Sequence, residues 1–403
     1  MTITNKVSLK SVMAGNTPIS DVPDAPTIGT ATAGGVDSGQ VSITYTAATT
    51  GGTATTFTAT STPGSLTGTG SSPITVSGLT DSTAYTFKVK GTNSTATGPE
   101  SAASASATPT GVRGLLTTAY NGTATVANID YITIASTGNA TSFGNLTTVT
   151  YQAGACASST RGVFMGGVRA DEYSTIMDYV TIASAGNATS FGALAATKAS
   201  CSGLSNSTRG ILSGGYNGAM VTSLEYVTIA SAGNATNFGT DTTAGNIGNP
   251  SAFASTTRGV IAGGSAYNDA IRYVTIATTG NVTSFGTLTV GRGLCAAAAS
   301  STRGVIGAGY ESAAGYSSRL DYVTTASVGN ATSFGNLVTP RYWLGACSSS
   351  VRGVWGGGGY TGVTSSALMD YITIATTGNG TSFGNMTAGA LYNAGCSNGH
   401  GGL

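Results

Sequence analysis

The sequence predicts an all-β protein in which a small sandwich precedes a repeated array of short strands. Nearly the same fifteen-residue string returns six times along the last three-quarters of the chain, for example DYVTIASAGNATSFG at 178–192. Before the array, short runs of alternating apolar and polar residues are separated by Gly, Ser, Thr and Pro, which is typical of strands in a sandwich. A string that returns at a fixed spacing indicates a repeat architecture, in which each unit buries its apolar face against its neighbours.

The composition restricts the class of function. Only 8% of the 403 residues are charged, against about 25% in ordinary soluble proteins, and the net charge is +1. Few charges and many small residues favour a durable, close-packed β-protein over a regulated cytosolic enzyme. There is no basic excess, so we expect no nucleic-acid partner. We also expect neither membrane insertion nor a signal peptide, because the sequence has no apolar run of the length that either requires.

The segment before the array divides into an arm and a sandwich. Residues 1–21 are polar and predict an attachment segment that a partner holds in place. Residues 22–110 predict seven short strands, including PDAPTIGTATAG at 23–34 and VSITYTAA at 41–48. Tyr85 follows Leu79 by six residues, the spacing of a tyrosine corner, in which the hydroxyl ties its strand to the preceding turn. These strings resemble a fibronectin type III domain, and the resemblance implies a two-sheet sandwich.

Residues 111–403 form the array, which is marked by a recurring Arg-Gly pair. The pair begins at Arg113, Arg161, Arg209, Arg258, Arg303 and Arg352, at spacings of 48, 48, 49, 45 and 49 residues. Each unit contains four strand-like pieces. A period of this length with four strands per unit predicts a six-bladed β-propeller.

The details of each unit resemble kelch repeats. A double glycine ends the second strand, as at Gly166-Gly167, and an acidic-aromatic pair opens the third, as at Asp178-Tyr179. A phenylalanine follows about twelve residues later, where the kelch family has tryptophan. The first unit departs from the pattern with Thr117-Thr118 in place of the double glycine. The resemblance implies a kelch-like propeller.

The order of the strands predicts how the ring closes. The array starts at a second strand, RGLLTTAY, so its first unit lacks a first strand. The segment LYNAGCSNGHGGL at 391–403 is similar to the first-strand pieces of the other units. We therefore expect a strand over about 392–398 to complete the first blade and to leave no long bare edge.

Three regular features have structural explanations. The Gly-Asn pair of the repeated string predicts a tight turn with positive φ values, and the phenylalanine after it predicts packing between blades. The sixfold arginine either forms an anion-binding ring or braces the turn between first and second strands through carbonyl bonds and stacking; we favour the brace. The five cysteines include no CxxC pair, so we expect buried free thiols and neither disulfides nor a zinc site.

The loops that differ most between units predict a binding surface. Alternating strand directions place the loops between second and third strands on the same face as the segments that link blades. Tyr, Arg, Trp and Asn gather in these segments, and such residues carry recognition on rigid scaffolds. The candidate ligand-binding residues are Tyr310, Tyr316, Arg319, Arg341, Tyr342, Trp343 and Tyr360. Two alternatives stay open: loop variation without any ligand, and a Trp343 that begins an innermost strand and is buried.

The residues needed for the known propeller chemistries are missing from the sequence. Copper radical oxidases on this fold need two histidine ligands, and the chain has one histidine, His400. The Asp-box string of sialidases, SxDxGxTW, is absent. We therefore expect no catalytic residue, no metal and no cofactor.

The combination of arm, sandwich and low-charge propeller resembles the structural and fibre proteins of tailed bacteriophages. The resemblance implies a non-enzymatic tail or capsid-attached fibre in the virion, assembled in the host cytoplasm and present in several copies per particle. The arm at 1–21 would bind other virion proteins, and the propeller would face a host-surface glycan or protein. Two alternatives are a bacterial surface adhesin, which needs a signal peptide or sorting tail, and a glycan-active propeller enzyme.

Overall fold

The chain consists of two compact units, the first ending at Thr110 and the second spanning Gly111–Leu403. The computed structural model describes residues 22–35, 38–81, 83–242 and 248–403, and the attachment segment predicted at 1–21 lies outside them. Both units are all-β, and a 3-10 turn at Ser265–Tyr267 is the one helical element in these described ranges. None of this helical structure has the length and apolar character needed to cross a bilayer.

The first unit contains two antiparallel sheets of three strands each. In order across the sheet, the strands of the first are Thr27–Ala33, Val41–Thr46 and Ile74–Val76, and those of the second are Thr67–Thr69, Thr56–Thr62 and Thr86–Thr92. Alternate residues of these strands are fully buried and form one core, which includes Val41, Ile43, Ile74, Val76, Phe87 and Val89. The period-two alternation in the sequence is thus the alternation between core and solvent.

The tyrosine corner forms as the sequence predicts. The hydroxyl of Tyr85 accepts a hydrogen bond of 3.0 Å from the amide of Thr80, and Leu79 lies in the same core cluster. The seventh predicted strand is not a regular strand, although Ala107 pairs with Tyr85. The amides of Phe87 and Val89 donate to serine hydroxyls of this segment rather than to carbonyl oxygens, which interrupts the ladder.

The second unit contains six four-stranded antiparallel sheets, here called sheets I to VI. From first to fourth strand, sheet I is Gly395–Ser397, Arg113–Tyr120, Thr125–Thr133 and Thr141–Asn145; sheet II is Gly154–Ala157, Arg161–Met165, Ile176–Thr181 and Thr189–Ala193; sheet III is Ser202–Ser205, Arg209–Ser213, Ser223–Thr228 and Thr236–Thr240. In the same order, sheet IV is Ser251–Ala254, Arg258–Ala262, Ala270–Thr275 and Thr283–Thr287; sheet V is Ala296–Ala299, Arg303–Gly307, Arg319–Thr324 and Thr332–Asn336; sheet VI is Gly345–Ser348, Arg352–Gly356, Ser366–Thr373 and Thr381–Ala390.

Two smaller sheets lie in the loops of this unit. One pairs Val168–Arg169 with Glu172–Tyr173, and the other has the order Arg292–Gly293, Tyr310–Glu311, Gly315–Tyr316. They give regular structure to two loops that connect second and third strands and, through Arg292–Gly293, to the segment that links sheets IV and V.

The six sheets follow one another in a closed cycle of contacts. The first strand of each sheet lies against the first strand of the next, and Gly345–Ser348 of sheet VI lies against Gly395–Ser397 of sheet I. As the sequence predicts, the C-terminal strand completes sheet I, where Cys396 stands opposite Leu115. The strand Gly395–Ser397, more than 270 positions after Arg113–Tyr120 in the sequence, therefore lies at the centre of the cycle as part of sheet I.

The six regular arginines join neighbouring sheets. Each guanidinium lies over the tyrosine of its own third strand; Arg161, for example, is 4.4 Å from the ring centre of Tyr179. Its Nη1 donates to carbonyl oxygens of the next sheet, which for Arg161 are those of Ile229 at 3.2 Å and Ala230 at 2.8 Å. The arginines are braces, as favoured, but they brace the next sheet rather than their own turn.

The repeated Gly-Asn pair serves a purpose different from the predicted one. None of the six asparagines has a positive φ. Among the six glycines of these pairs, Gly138 alone has a φ between +20° and +160°, and its value of 159° lies at the edge of that range. The asparagine instead bonds to the fourth strand of the preceding sheet: Oδ1 of Asn187 accepts from the amide of Asn145 at 3.0 Å. The prediction of a left-handed turn was wrong because the pair is held by contacts to the neighbouring sheet.

The phenylalanine of each repeat packs between two sheets, as expected. Phe143 of sheet I lies in one buried cluster with Val180 and Ile182 of sheet II. Its ring also meets the ring of Tyr131 edge-on, with centres 6.1 Å apart. Corresponding pairs recur in all six sheets.

Candidate functional site

Six residues with left-handed backbone mark one end of the cycle. One of them precedes the first strand of each sheet, with φ between 53° and 61°. These six residues, called here the rim residues, are Gln152, Ser200, Asn249, Leu294, Trp343 and Tyr392. A left-handed conformation is unfavourable for a residue with a side chain, so its sixfold use indicates that the surroundings hold it in place.

Backbone hydrogen bonds join the rim residues into a closed circle. The amide of each residue donates to the carbonyl oxygen of the rim residue in the preceding sheet. The distances are 2.9 Å for Ser200 to Gln152, 2.6 Å for Asn249 to Ser200, 3.2 Å for Leu294 to Asn249, 3.0 Å for Trp343 to Leu294, 3.1 Å for Tyr392 to Trp343 and 3.3 Å for Gln152 to Tyr392. These hydrogen bonds fix the backbones of the six rim residues and therefore the positions from which their side chains project.

A cavity of about 100 Å³ lies within this circle and is called here the axial cavity. Below the rim it is lined by one small residue from the first strand of each sheet: Ala155, Gly203, Ala252, Ala297, Ala346 and Gly395. A side chain on Gly203 or Gly395 would overlap the backbone of the neighbouring first strand. The six first strands thus approach so closely that only small residues fit, and the same small residues leave the centre empty.

The rim has a polar half and an apolar half. Gln152, Ser200 and Asn249 come from sheets II to IV and bring amide and hydroxyl groups, whereas Leu294, Trp343 and Tyr392 come from sheets V, VI and I. The indole Nε1 of Trp343 donates to Oδ1 of Asn249 at 3.3 Å, and the hydroxyl of Ser200 donates to Oε1 of Gln152 at 3.0 Å. The residues that line the cavity include no Asp, Glu, Lys, Arg or His among those that the structure describes.

A row of aromatic side chains extends outward from the apolar half of the rim. In order of contact, this aromatic row consists of Tyr151, Tyr392, Trp343, Tyr342, Tyr316, Tyr310 and Tyr267. The closest ring centres, those of Trp343 and Tyr392, are 4.3 Å apart, and Tyr342 and Tyr316 are 5.1 Å apart. Every ring in the row is half-buried, so each presents part of its surface to solvent. The row forms an aromatic surface supported by ring-to-ring packing.

Four of the seven predicted binding residues lie in this row: Tyr310, Tyr316, Tyr342 and Trp343. Trp343 does not begin an innermost strand, because that strand starts at Gly345 and the indole keeps an exposed part. Arg319 is 42% exposed and bonds to Glu311 at 3.2 Å, so it stands beside the row. Tyr360 is half-buried and belongs to a neighbouring loop, where it pairs with Val363.

Arg341 is not a surface residue, and its assignment to the binding set needs correction. The side chain is fully buried and its Nη2 donates to Asp370 at 2.7 Å. Nη1 donates to the carbonyl oxygen of Gly357 at 2.8 Å. Burial lowers the pKa of Arg341, while the neighbouring carboxylate raises it. Arg341 therefore supports the rim from below and cannot contact a ligand on the surface.

A buried ion pair recurs in five of the six sheets, each pair including one residue of the third strand. The pairs are Arg169–Asp178, Lys198–Glu225, Arg272–Asp241, Arg292–Asp321 and Arg341–Asp370, at 2.7–3.0 Å. In sheet I the acid, Asp130, instead accepts bonds from the hydroxyl and amide of Thr387, and burial raises its pKa. These carboxylates hold structural positions.

The end of the cycle opposite the rim is closed by the C-terminal residues. Nε2 of His400 is 2.9 Å from the carbonyl oxygen of Ala157, and Nδ1 of His400 accepts from the amide of Gly402 at 3.1 Å. The amide of Gly401 donates to the carbonyl oxygen of Ala299 at 3.0 Å. His400 and Gly401 line a second cavity of about 50 Å³ that shares the six small first-strand residues with the axial cavity. The hollow centre therefore opens on the rim side.

The cysteines are buried and unpaired, as expected. Burial raises the pKa of Cys201 and of Cys295 to about 11, so both thiols near the cavity are protonated at neutral pH. No group of three His, Cys, Asp or Glu residues that could hold a metal ion occurs in the described part of the chain.

No protein-family model and no curated protein matches the chain. The site consists of a neutral cavity, a rim that is half polar and half apolar, and an aromatic row beside it. An opening of this composition suits a neutral ligand with hydroxyl groups and apolar faces.

The residues predicted to bind did not include Gln152, Asn249, Tyr392 and the outer tyrosines of the row. A signal for the rim was present, because each of the first five rim residues stands nine positions before an Arg-Gly pair, as Gln152 does before Arg161. Alignment on that pair collects all five, and Tyr392 follows from the C-terminal strand. The contact between Tyr151 and Tyr392 has no such signal, since it depends on closure of the cycle.

Proposed function

We propose that the protein is a non-enzymatic structural and attachment component of a tailed-phage virion that binds a host-surface glycan. In this proposal the first unit is a fibronectin type III-like sandwich, and the second is a six-bladed kelch-like β-propeller closed by its C-terminal strand. The segment 1–21 binds other virion proteins, and the rim side of the propeller faces the host. The fold assignment is supported by the tyrosine corner and by six four-stranded sheets in cyclic contact.

The observation that carries the binding proposal is the aromatic row on the rim side. Seven half-exposed rings in continuous contact are costly to display on a surface unless a ligand covers them. Tyrosine and tryptophan bury a large area on binding with little loss of side-chain freedom. Their faces suit the C–H faces of sugar rings, and the neighbouring amides suit hydroxyl groups.

The build of the second unit supports a role in a particle exposed to the environment. Every sheet is tied to the next by arginine, asparagine and phenylalanine contacts, and these repeat around the complete cycle. The outer edge of each fourth strand bonds to the Gly-Asn segment of the following sheet, so none of the six edges is bare. Covered edges resist pairing between copies, which matters where many copies are held close together.

Binding is tested with the full chain on a panel of neutral and charged glycans. We expect selective binding of neutral glycans that is weakened in the double variant Tyr310→Ala and Tyr342→Ala. The matched control is Val328→Ser, at an exposed residue in the turn between third and fourth strands of sheet V. Equal binding by the tyrosine variant and the wild type would contradict a role for the aromatic row.

The location is tested by imaging intact particles that carry a label on the second unit. A label on tails or capsids supports the virion proposal. A label confined to the envelope of the cell that makes the protein supports the adhesin alternative, and glycan breakdown during incubation supports the enzyme alternative.

A further inference from the structure

We infer that the axial cavity is a binding site for one neutral monosaccharide, the non-reducing end of the glycan, with the aromatic row holding the sugars that follow. This inference rests on the proposed function and names its ligand class.

The cavity fits a single sugar ring. A single water needs at least roughly 10–15 Å³ of such space, so a cavity of about 100 Å³ holds several waters and is of the order of one sugar ring. That space accommodates one monosaccharide and excludes two. Shape alone therefore limits the occupant to a terminal unit.

The lower end permits no passage. His400 and Gly401 occupy the far opening and bond to Ala157 and Ala299 of the surrounding first strands. A polysaccharide cannot thread through the centre, so its end must enter from the rim. A non-reducing terminal sugar suits such an entry because its free hydroxyls face the cavity. The rest of the glycan then continues from the other side of that sugar toward solvent and the aromatic row.

The rim offers complementary groups on its two halves. Within the described residues, neither Nε2 of Gln152 nor Nδ2 of Asn249 donates to another protein group, so both are available to sugar hydroxyls. Opposite them, the rings of Trp343 and Tyr392 supply an apolar wall for one face of the sugar. A fixed backbone under all six rim residues reduces the ordering that binding requires.

The charge of the site excludes ionised ligands. No charged side chain lines the cavity among the described residues, and the nearest thiols stay protonated because burial raises their pKa. A carboxylate or phosphate would lose its water shell here without gaining a counter-ion. The expected class is thus the neutral hexoses and their N-acetyl derivatives, and not sialic or uronic acids.

The test measures binding of glucose, galactose, mannose and N-acetylglucosamine to the full chain by tryptophan fluorescence and saturation-transfer NMR. The chain has two tryptophans, and Trp355 is fully buried with its Nε1 bonded to the carbonyl oxygen of Ala296. A fluorescence change on sugar binding therefore reports on Trp343, and Trp343→Phe should remove it.

Two variants alter the axial site in different ways. Ala297→Leu fills the space below the rim, and Gln152→Ala removes a rim amide without filling the cavity. We expect each to weaken monosaccharide binding by about tenfold or more. The variant with Tyr310→Ala and Tyr342→Ala should lose the added affinity that a longer glycan has over a monosaccharide.

The outcomes separate the two proposals. Failure of every monosaccharide to bind the wild type overturns the axial site, as does unchanged binding in an Ala297→Leu variant that melts at the wild-type temperature. If oligosaccharides still bind in either case and depend on Tyr310 and Tyr342, the proposed function stands while the axial site is lost. Glycan binding that a sialic acid added at the non-reducing end leaves intact would also overturn the inference, because the cavity should exclude ionised sugars.

Discussion

The guanidinium of Arg352 donates to the carbonyl oxygen of Ala135 at 2.6 Å, although the two residues are 217 positions apart. The same guanidinium donates to Ile134 and lies 4.7 Å from the ring centre of Tyr371. Arg161 makes the same set of contacts between sheets II and III. The junction between the last sheet and the first is therefore chemically the same as a junction within the array.

Replacement of Arg352 tests this junction. Lysine keeps the charge but lacks the planar group that stacks on the tyrosine and reaches two carbonyl oxygens. We expect Arg352→Lys to lower the free energy of unfolding by about 1–3 kcal/mol, measured by urea denaturation of the full chain. Arg319→Lys is the control, because that side chain is 42% exposed, and its effect should stay within about 0.5 kcal/mol. Equal midpoints for both variants would contradict the brace.

The glycine after each repeated phenylalanine provides a second test. A Cβ on Gly384 would overlap the carbonyl group of Gly138 in the neighbouring sheet, whereas a Cβ on Gly378 meets open space. We expect Gly384→Ala to cost about 1–3 kcal/mol through forced displacement of a packed backbone. Gly378→Ala should leave the melting temperature unchanged or slightly raised. The opposite order of the two melting temperatures would show that the sheets approach differently.

The buried carboxylates of sheets VI and I should respond differently to neutralisation. Asp370→Asn leaves Arg341 fully buried without its counter-ion, which should cost about 3–5 kcal/mol. Asp130 has hydroxyl and amide partners in Thr387, and Asp130→Asn should cost about 1 kcal/mol, the net value of an ordinary hydrogen bond. Urea denaturation at pH 7 measures both. A larger loss for Asp130→Asn would contradict this assignment of partners.

His400 should make the stability of the second unit depend on pH. Its Nδ1 accepts from Gly402, and burial lowers its pKa below the ordinary 6.5. The unfolded chain then binds the proton more readily than the folded one, so stability is complete above about pH 6.5 and falls as the pH drops below it. We expect the difference in melting temperature between wild type and His400→Gln to shrink or reverse from pH 7.5 to pH 5. A difference that stays constant would show that His400 does not titrate there.

The repeat units of the fold could be predicted because the same residue types pack in the same way in each unit. Four strands per unit follow from the spacing of Arg-Gly, and the C-terminal strand follows from the missing first strand in the unit of Arg113. The role of the Gly-Asn pair could not be predicted from one unit. Asn187 bonds to Asn145 of another sheet, so its purpose appears only when two units stand side by side.

The candidate site could be predicted only in part, because some of its contacts also join segments that are far apart in the sequence. Tyr342 and Trp343 stand out as aromatic residues in a variable segment, and they do lie in the aromatic row. Arg341, their neighbour in sequence, points into the interior because the carboxylate of Asp370 lies beneath it. Composition shows which residue types gather in a loop, but the direction of each side chain depends on its partner elsewhere in the chain.

The strand Gly395–Ser397 has a consequence for biosynthesis. Sheet I needs this strand beside Arg113–Tyr120, and the circle of rim bonds needs Tyr392. A ribosome therefore releases five sheets before the centre of the unit can be completed, and the finished arrangement forms only after Ser397 has left the exit tunnel. Until then the first strands of sheets II and VI each lack one neighbour, and growing chains on the same messenger could exchange C-terminal strands. Delayed closure makes the spacing of ribosomes a determinant of how much correctly closed protein a cell obtains.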